Sequence, residues 1–127
     1  MIKNFLIINF TGKNDSIGLK INNNFFVKKI QTNIRKNGLL VNNILSFIKQ
    51  KKGKIDKDFS VIVNIGPGSF SGIRISLAIA KGIKLARNVN IYGYKDSDLV
   101  QFNLKNIELL IKKNLIQNKL IKPIYLS

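Results

Sequence analysis

The segment Gly66-Pro67-Gly68-Ser69-Phe70-Ser71-Gly72 has the residue types and spacing most suggestive of chemistry in this chain. It follows an apolar run and precedes a helical pattern. That is the layout of an anion site, where glycine N–H groups and a helix N-terminus face a phosphate. The glycines, however, are spaced G-x-G-x-x-x-G, and no Lys-Ser or Lys-Thr pair follows as in a Walker loop. A plain tight turn accounts for the same residues, with Pro67 fixing φ and the glycines at positive φ. Other reactive groups are scarce. Cys and His are both absent, which removes thiol nucleophiles, Ser-His triads and metal sites built on those ligands. Of the six carboxylates, Asp15, Asp56 and Asp58 fall in turn-like sequence, so a paired acid–base site would be accidental.

The elements that must hold this segment are legible from periodicity. Alternation and turn residues predict strands over 5–10, 16–21 and 25–30, joined closely enough for an antiparallel meander. Over 34–50 the period becomes helical. Ile34, Leu40, Val41, Ile44, Leu45, Phe47 and Ile48 share an arc of about 160°. Gly53 is a plausible cap for that helix, and the lysines at 49, 51, 52 and 54 suit its C-terminal dipole. The apolar run 59–65 reads as a central strand buried on both faces. A helix over 70–87, a strand over 89–94, a short helix over 98–102 capped by Asp96-Ser97, and a last helix over 106–119 follow. The order is α/β with a mixed sheet, a meander followed by parallel crossovers.

The helix over 70–87 is apolar almost all round, more than one sheet and one neighbouring helix can cover. Ala78, Ala80 and Gly82 are small enough to let another helix approach closely.

The 127 residues suffice for one domain with a real core. No apolar run reaches the ~18 residues of a membrane span. Residues 1–4 lead straight into strand-like sequence without a signal-peptide pattern, so a cytoplasmic location is expected. The net charge is +16, which suits a polyanion partner. Compositional drift explains it as well: Ile, Lys and Asn number 22, 19 and 17, and only Arg35, Arg74 and Arg87 are arginine. A protein that grips nucleic acid is expected to use more arginine.

Against that background, GPGSFSGIRISLAIAKG (residues 66–82) is rich in Gly and Ala. This run resembles the signature of the TsaB family, also called YeaZ, which serves the threonylcarbamoyladenosine modification of tRNA. The flanking strand and helices, Tyr92-Gly93-Tyr94, and the ending Pro123-Ile124-Tyr125-Leu126-Ser127 resemble the family too. The resemblance implies an actin-like, ribonuclease-H-like (ASKHA) fold with helices on the sheet faces. It implies a non-catalytic subunit, without cofactor or metal, that pairs with a TsaD-like catalytic subunit. A TsaE-like ATPase joins in bacteria, tRNA is met through the complex, and a homodimer forms in isolation.

In this family the two helices beside the signature strand form the subunit interface. That implies Leu40, Ile44, Phe47 and Ile48 from the first helix, and Ile73, Arg74, Leu77, Ala78, Ala80 and Lys81 from the second. Gly66, Pro67, Gly68, Ser69, Phe70, Ser71 and Gly72 then form a structural loop. A charge at Ala80 or Ile44 is expected to block pairing in a folded monomer.

The chain departs from the family in three places. Asn9-Phe10-Thr11 stands where the family has Asp-Thr-Ser. Arg35-Lys36-Asn37-Gly38 replaces a His-Ser pair. The family's second domain is missing, with residues 104–122 in its place within a single domain, 1–127. Two other readings stay open: a nucleotide-binding enzyme using the 66–72 loop as a phosphate cradle, and a degenerate self-associating protein.

Overall fold

The computed structural model describes residues 2–30, 37–56 and 58–118. The expected signals of residues 34–36 and 119–127, including the terminal Pro-x-Tyr-Leu motif, lie outside the described residues.

Three strands open the chain: β1 (Asn4–Asn9), β2 (Ser16–Ile21) and β3 (Asn24–Lys29). Then come α1 (Asn37–Gln50), β4 (Phe59–Asn64), α2 (Phe70–Arg87), β5 (Asn90–Tyr94), a 3-10 turn (Asp96–Asp98) and α3 (Leu104–Lys112). The sheet order is β3-β2-β1-β4-β5. β1 to β3 form an antiparallel meander, while β4 lies parallel to both β1 and β5. All six residues of β4 are buried, as a continuous apolar run requires.

Register fixes the two faces. Leu6 lies opposite Leu19 and Val61, and Ile8 opposite Ile17 and Val63. These side chains meet Ile44 and Phe47 of α1 and Ile73, Leu77 and Ala80 of α2 in one core. Both helices therefore pack on the same side of the sheet. Phe5, Ile7, Ile62 and Tyr94 point the other way, where Ile107 and Leu110 of α3 cover them. Each such fully buried aliphatic side chain contributes roughly 1.5–3 kcal/mol.

The limits of α2 match the periodicity because both ends carry local stops. Ser69 Oγ accepts from the Gly72 N–H at 3.3 Å, and Asn88, at φ 56°, closes the helix with its N–H on the Lys84 carbonyl. At the end of α1 the left-handed residue is Lys52 (φ 58°), not Gly53. Gly53 instead donates its N–H to the Ile48 carbonyl at 2.9 Å. A Cβ there would lie 2.8 Å from Ile48 Cγ2, so this glycine answers to packing.

Two sequence expectations shift. The helix expected over 98–102 is a 3-10 turn at Asp96–Asp98 without a side-chain cap. Leu99, Phe102 and Leu104 are drawn onto the α3 core instead. The last helix starts at Leu104, because Asn103 Oδ1 accepts from the Asn106 N–H at 2.9 Å. It stops at Lys112, with Asn114 left-handed two residues on. Residues beyond it turn back, and Gly93 and Gln117 exchange both backbone hydrogen bonds at 2.7 and 2.9 Å.

Candidate functional site

The glycine segment sits where the parallel strands end. Asn64, the last residue of β4, is fully buried. Its Nδ2 donates to Asn9 Oδ1 at 2.7 Å and to Asp96 Oδ1 at 3.0 Å, and its Oδ1 accepts the Gly66 N–H at 2.8 Å. The Asp96 N–H donates to the Gly66 carbonyl at 2.8 Å, and Tyr94 Oη donates to Asn9 Oδ1 at 3.4 Å. One amide thus ties β1, the 3-10 turn after β5 and the loop to β4. Burial, with the nearby Asp96 charge adding to it, holds the Tyr94 phenol well above its ordinary pKa; the Asn64 side chain acts the other way.

Beyond Gly66 the segment is pressed onto the turn after β1. The Ser69 N–H donates to the Thr11 carbonyl at 2.9 Å. A Cβ on Gly68 would lie 2.8 Å from Thr11 Cβ, and one on Gly72 would lie 2.4 Å from the Phe10 carbonyl oxygen. Only Gly66, at φ 101°, takes the positive φ expected of all these glycines. Gly68 and Gly72 are small because the Phe10-Thr11 backbone fills the space beside them. Pro67 and Phe70 are exposed and Ser71 lies within hydrogen-bonding distance of Ser69. Among the described residues no group of three or more carboxylates could hold a metal.

The loop aims α2 across the sheet, and α2 with α1 frames an open groove of about 770 Å³ on the side away from the strands. Its walls are mainly apolar, from Val41 and Leu45 of α1 to Ile75, Ala78 and Gly82 of α2. Ala78 and Gly82 are exposed, and a Cβ on Gly82 would meet nothing within 4 Å. Leu85 is 89% exposed and Phe70 53%. The Arg74 guanidinium rests 5.6 Å from the centre of the Phe70 ring.

The residues expected at an interface divide here. Arg74, Ala78 and Lys81 stand on the outward face of α2. Leu40, Ile44, Phe47, Ile48, Ile73, Leu77 and Ala80 do not: each is at most 7% exposed and packed in the core between helices and sheet. The physical reason is phase. The apolar arc that marks a helix in sequence is the arc the helix spends on its own sheet. A charge at Ala80 or Ile44 would therefore enter this chain's own core. Val41, Leu45, Ile75 and Leu85 are visible as apolar in the sequence but are not among the residues expected at the interface, although Leu85 shares a wheel sector with Arg74 and Lys81. Sequence reasoning passed over the Asn9–Asn64–Tyr94 network, for which no spacing signal exists.

Comparison with protein-family models and with curated proteins finds no match. Solved structures do match. One is a Pseudomonas aeruginosa protein described as uncharacterised with similarity to peptidase YeaZ: TM-score 0.65, 15% identity, covering 77% of this chain and 45% of that one. Another is YeaZ from Pseudomonas aeruginosa: TM-score 0.63, 13% identity, covering 88% of this chain and 50% of that one. The chain spans about half the length of these neighbours. The mixed five-stranded sheet, with α1 and α2 on one face and α3 on the other, has the actin-like fold of the YeaZ structures.

Proposed function

We propose that this chain is a TsaB-like scaffold subunit. It pairs through the outer face of α1 and α2 with a related catalytic subunit of the TsaD kind, which modifies tRNA with threonylcarbamoyl. The observation that carries the reading is the pairing of two features on one helix. α2 begins with a segment resembling the TsaB signature, and its outward face carries exposed apolar and small residues, Ala78, Gly82 and Leu85, among its cations, with none of the described residues near Gly82. A mid-helix glycine costs about 1 kcal/mol relative to alanine, and at Gly82 none of the described residues comes close enough to offset that cost. A close helix approach would.

The scaffold role rests on the chemistry at the strand ends. At the strand ends Asn9 and Asn64 are hydrogen bonded to each other, and the carboxylate beside them, Asp96, accepts from the Asn64 amide. The glycines that a phosphate cradle would need are packed on Phe10 and Thr11. No described helix is long and apolar enough to cross a membrane.

The test is capture of the tagged full chain from its own cells, followed by mass spectrometry. A larger protein of the same actin-like fold should co-purify in near-stoichiometric amount. Its absence, with the chain recovered alone or self-associated, would overturn the reading in favour of a degenerate self-associating protein.

A further inference from the structure

Arginine is rare in this chain, three residues against 19 lysines, and two of the three, Arg74 and Arg87, line the groove beside α2. They lie 13 residues apart on one helix, which places them about 20 Å from each other along its axis. Arg87 complements the helix dipole, but Lys84 in the same last turn already supplies that charge. Arg74 has no such reason in the second turn. Neither arginine lies within ion-pair distance of a carboxylate of the described residues. Neither α1 nor α2 contains an Asp or Glu, while α2 also carries Lys81 and Lys84. A guanidinium offers a planar donor fork that fits a carboxylate at two points, which an ammonium does not. The Phe70 ring holds that of Arg74 at the rim of the groove.

We infer that the groove is built for a helix carrying two carboxylates about 20 Å apart, one for each arginine, on either side of an aliphatic ridge that seats over Ala78 and Gly82. The inference rests on the docking reading above and names the chemistry of the partner. It also states what the partner is not. A second copy of this chain would bring four cations of its own α2 against the four already there, with no acid on either side. Like charges across an interface are repulsive and set partner choice. The homodimer expected from the sequence is therefore weak at low salt and gains from screening.

The experiment uses the chain as its own probe. Wild type, the R74E/R87E variant and a 1:1 mixture are compared by sedimentation equilibrium in about 50 and 500 mM NaCl. The mixture should form a 1:1 complex at least tenfold tighter than either protein's self-association, and this advantage should vanish at the higher salt. Wild type that dimerises as tightly as the mixture at low salt overturns the inference. So does a mixed complex that persists when both chains also carry Gly82→Leu, because the contact then lies elsewhere. These readings do not involve the native partner, so they can fail while the capture experiment succeeds, and the reverse.

Discussion

Gly72 and Gly82 lie ten residues apart on the same helix, and they are small for opposite reasons. At Gly72 a Cβ would lie 2.4 Å from the Phe10 carbonyl oxygen, so the fold itself forbids a side chain. At Gly82 a Cβ would meet open space, so the fold is indifferent. Ala80 and Ala78 repeat the contrast two residues apart: Ala80 is fully buried against the sheet, whereas Ala78 is exposed beside the groove. One face of α2 answers to this chain's own sheet and turn. The other has no occupant among the described residues.

The largest effect should come from Ala80→Glu. A carboxylate forced into a core of Ile73, Leu77 and their sheet partners costs about 3–5 kcal/mol. That is much of the ~5–15 kcal/mol holding a typical domain together. Urea unfolding should show a largely unfolded variant at neutral pH, whereas Ala78→Glu should leave the midpoint nearly unchanged while abolishing partner capture. A folded, stable Ala80→Glu would mean the two faces have been assigned the wrong way round. Next is Gly72→Ala, where a rigid backbone oxygen must move. A loss of about 3 kcal/mol is expected, read as a lower urea midpoint at unchanged slope.

The contrast between faces was only half legible in the sequence. The apolar runs of β1 and β4, the short turns of the meander and the apolar arc of α1 announced the layers. They did so because periods of 2 and 3.6 follow directly from burial on one side. Phase against a partner is different. Ala80 and Leu85 are both apolar in an apolar helix, and only the sheet beneath decides which of them is inside. The strand-end network was illegible for another reason. Asn9 and Asn64 are 55 residues apart, and among 17 asparagines neither stands out. Gly68 and Gly72 were visible as glycines, but the need for them lies in the Phe10-Thr11 backbone, which only the fold brings near.

A smaller effect should appear at high pH. Burial keeps the Tyr94 phenol neutral in the folded chain to a higher pH than in the unfolded one. Above the ordinary tyrosine value of about 10 the unfolded chain releases that proton first. The native state then holds more protons, and stability falls as pH rises. Tyr94→Phe should flatten that alkaline decline in thermal unfolding measured between about pH 9 and 11, with little change at neutral pH. An equally steep decline in the variant would place its origin in other groups.

The central claim is that the outer face of α2 is shaped for a neighbour that the chain itself does not supply. Gly82→Leu tests it most directly, because it should move stability and partner binding in opposite directions. Leucine is the better helix former by about 0.8 kcal/mol, which raises the melting temperature by about 3 °C in a domain of this size. The same side chain fills the approach to the groove. The Gly82→Leu chain is expected to melt slightly higher and to capture its native partner at least tenfold more weakly. A variant that melts higher and captures the partner as well as wild type would contradict the central claim.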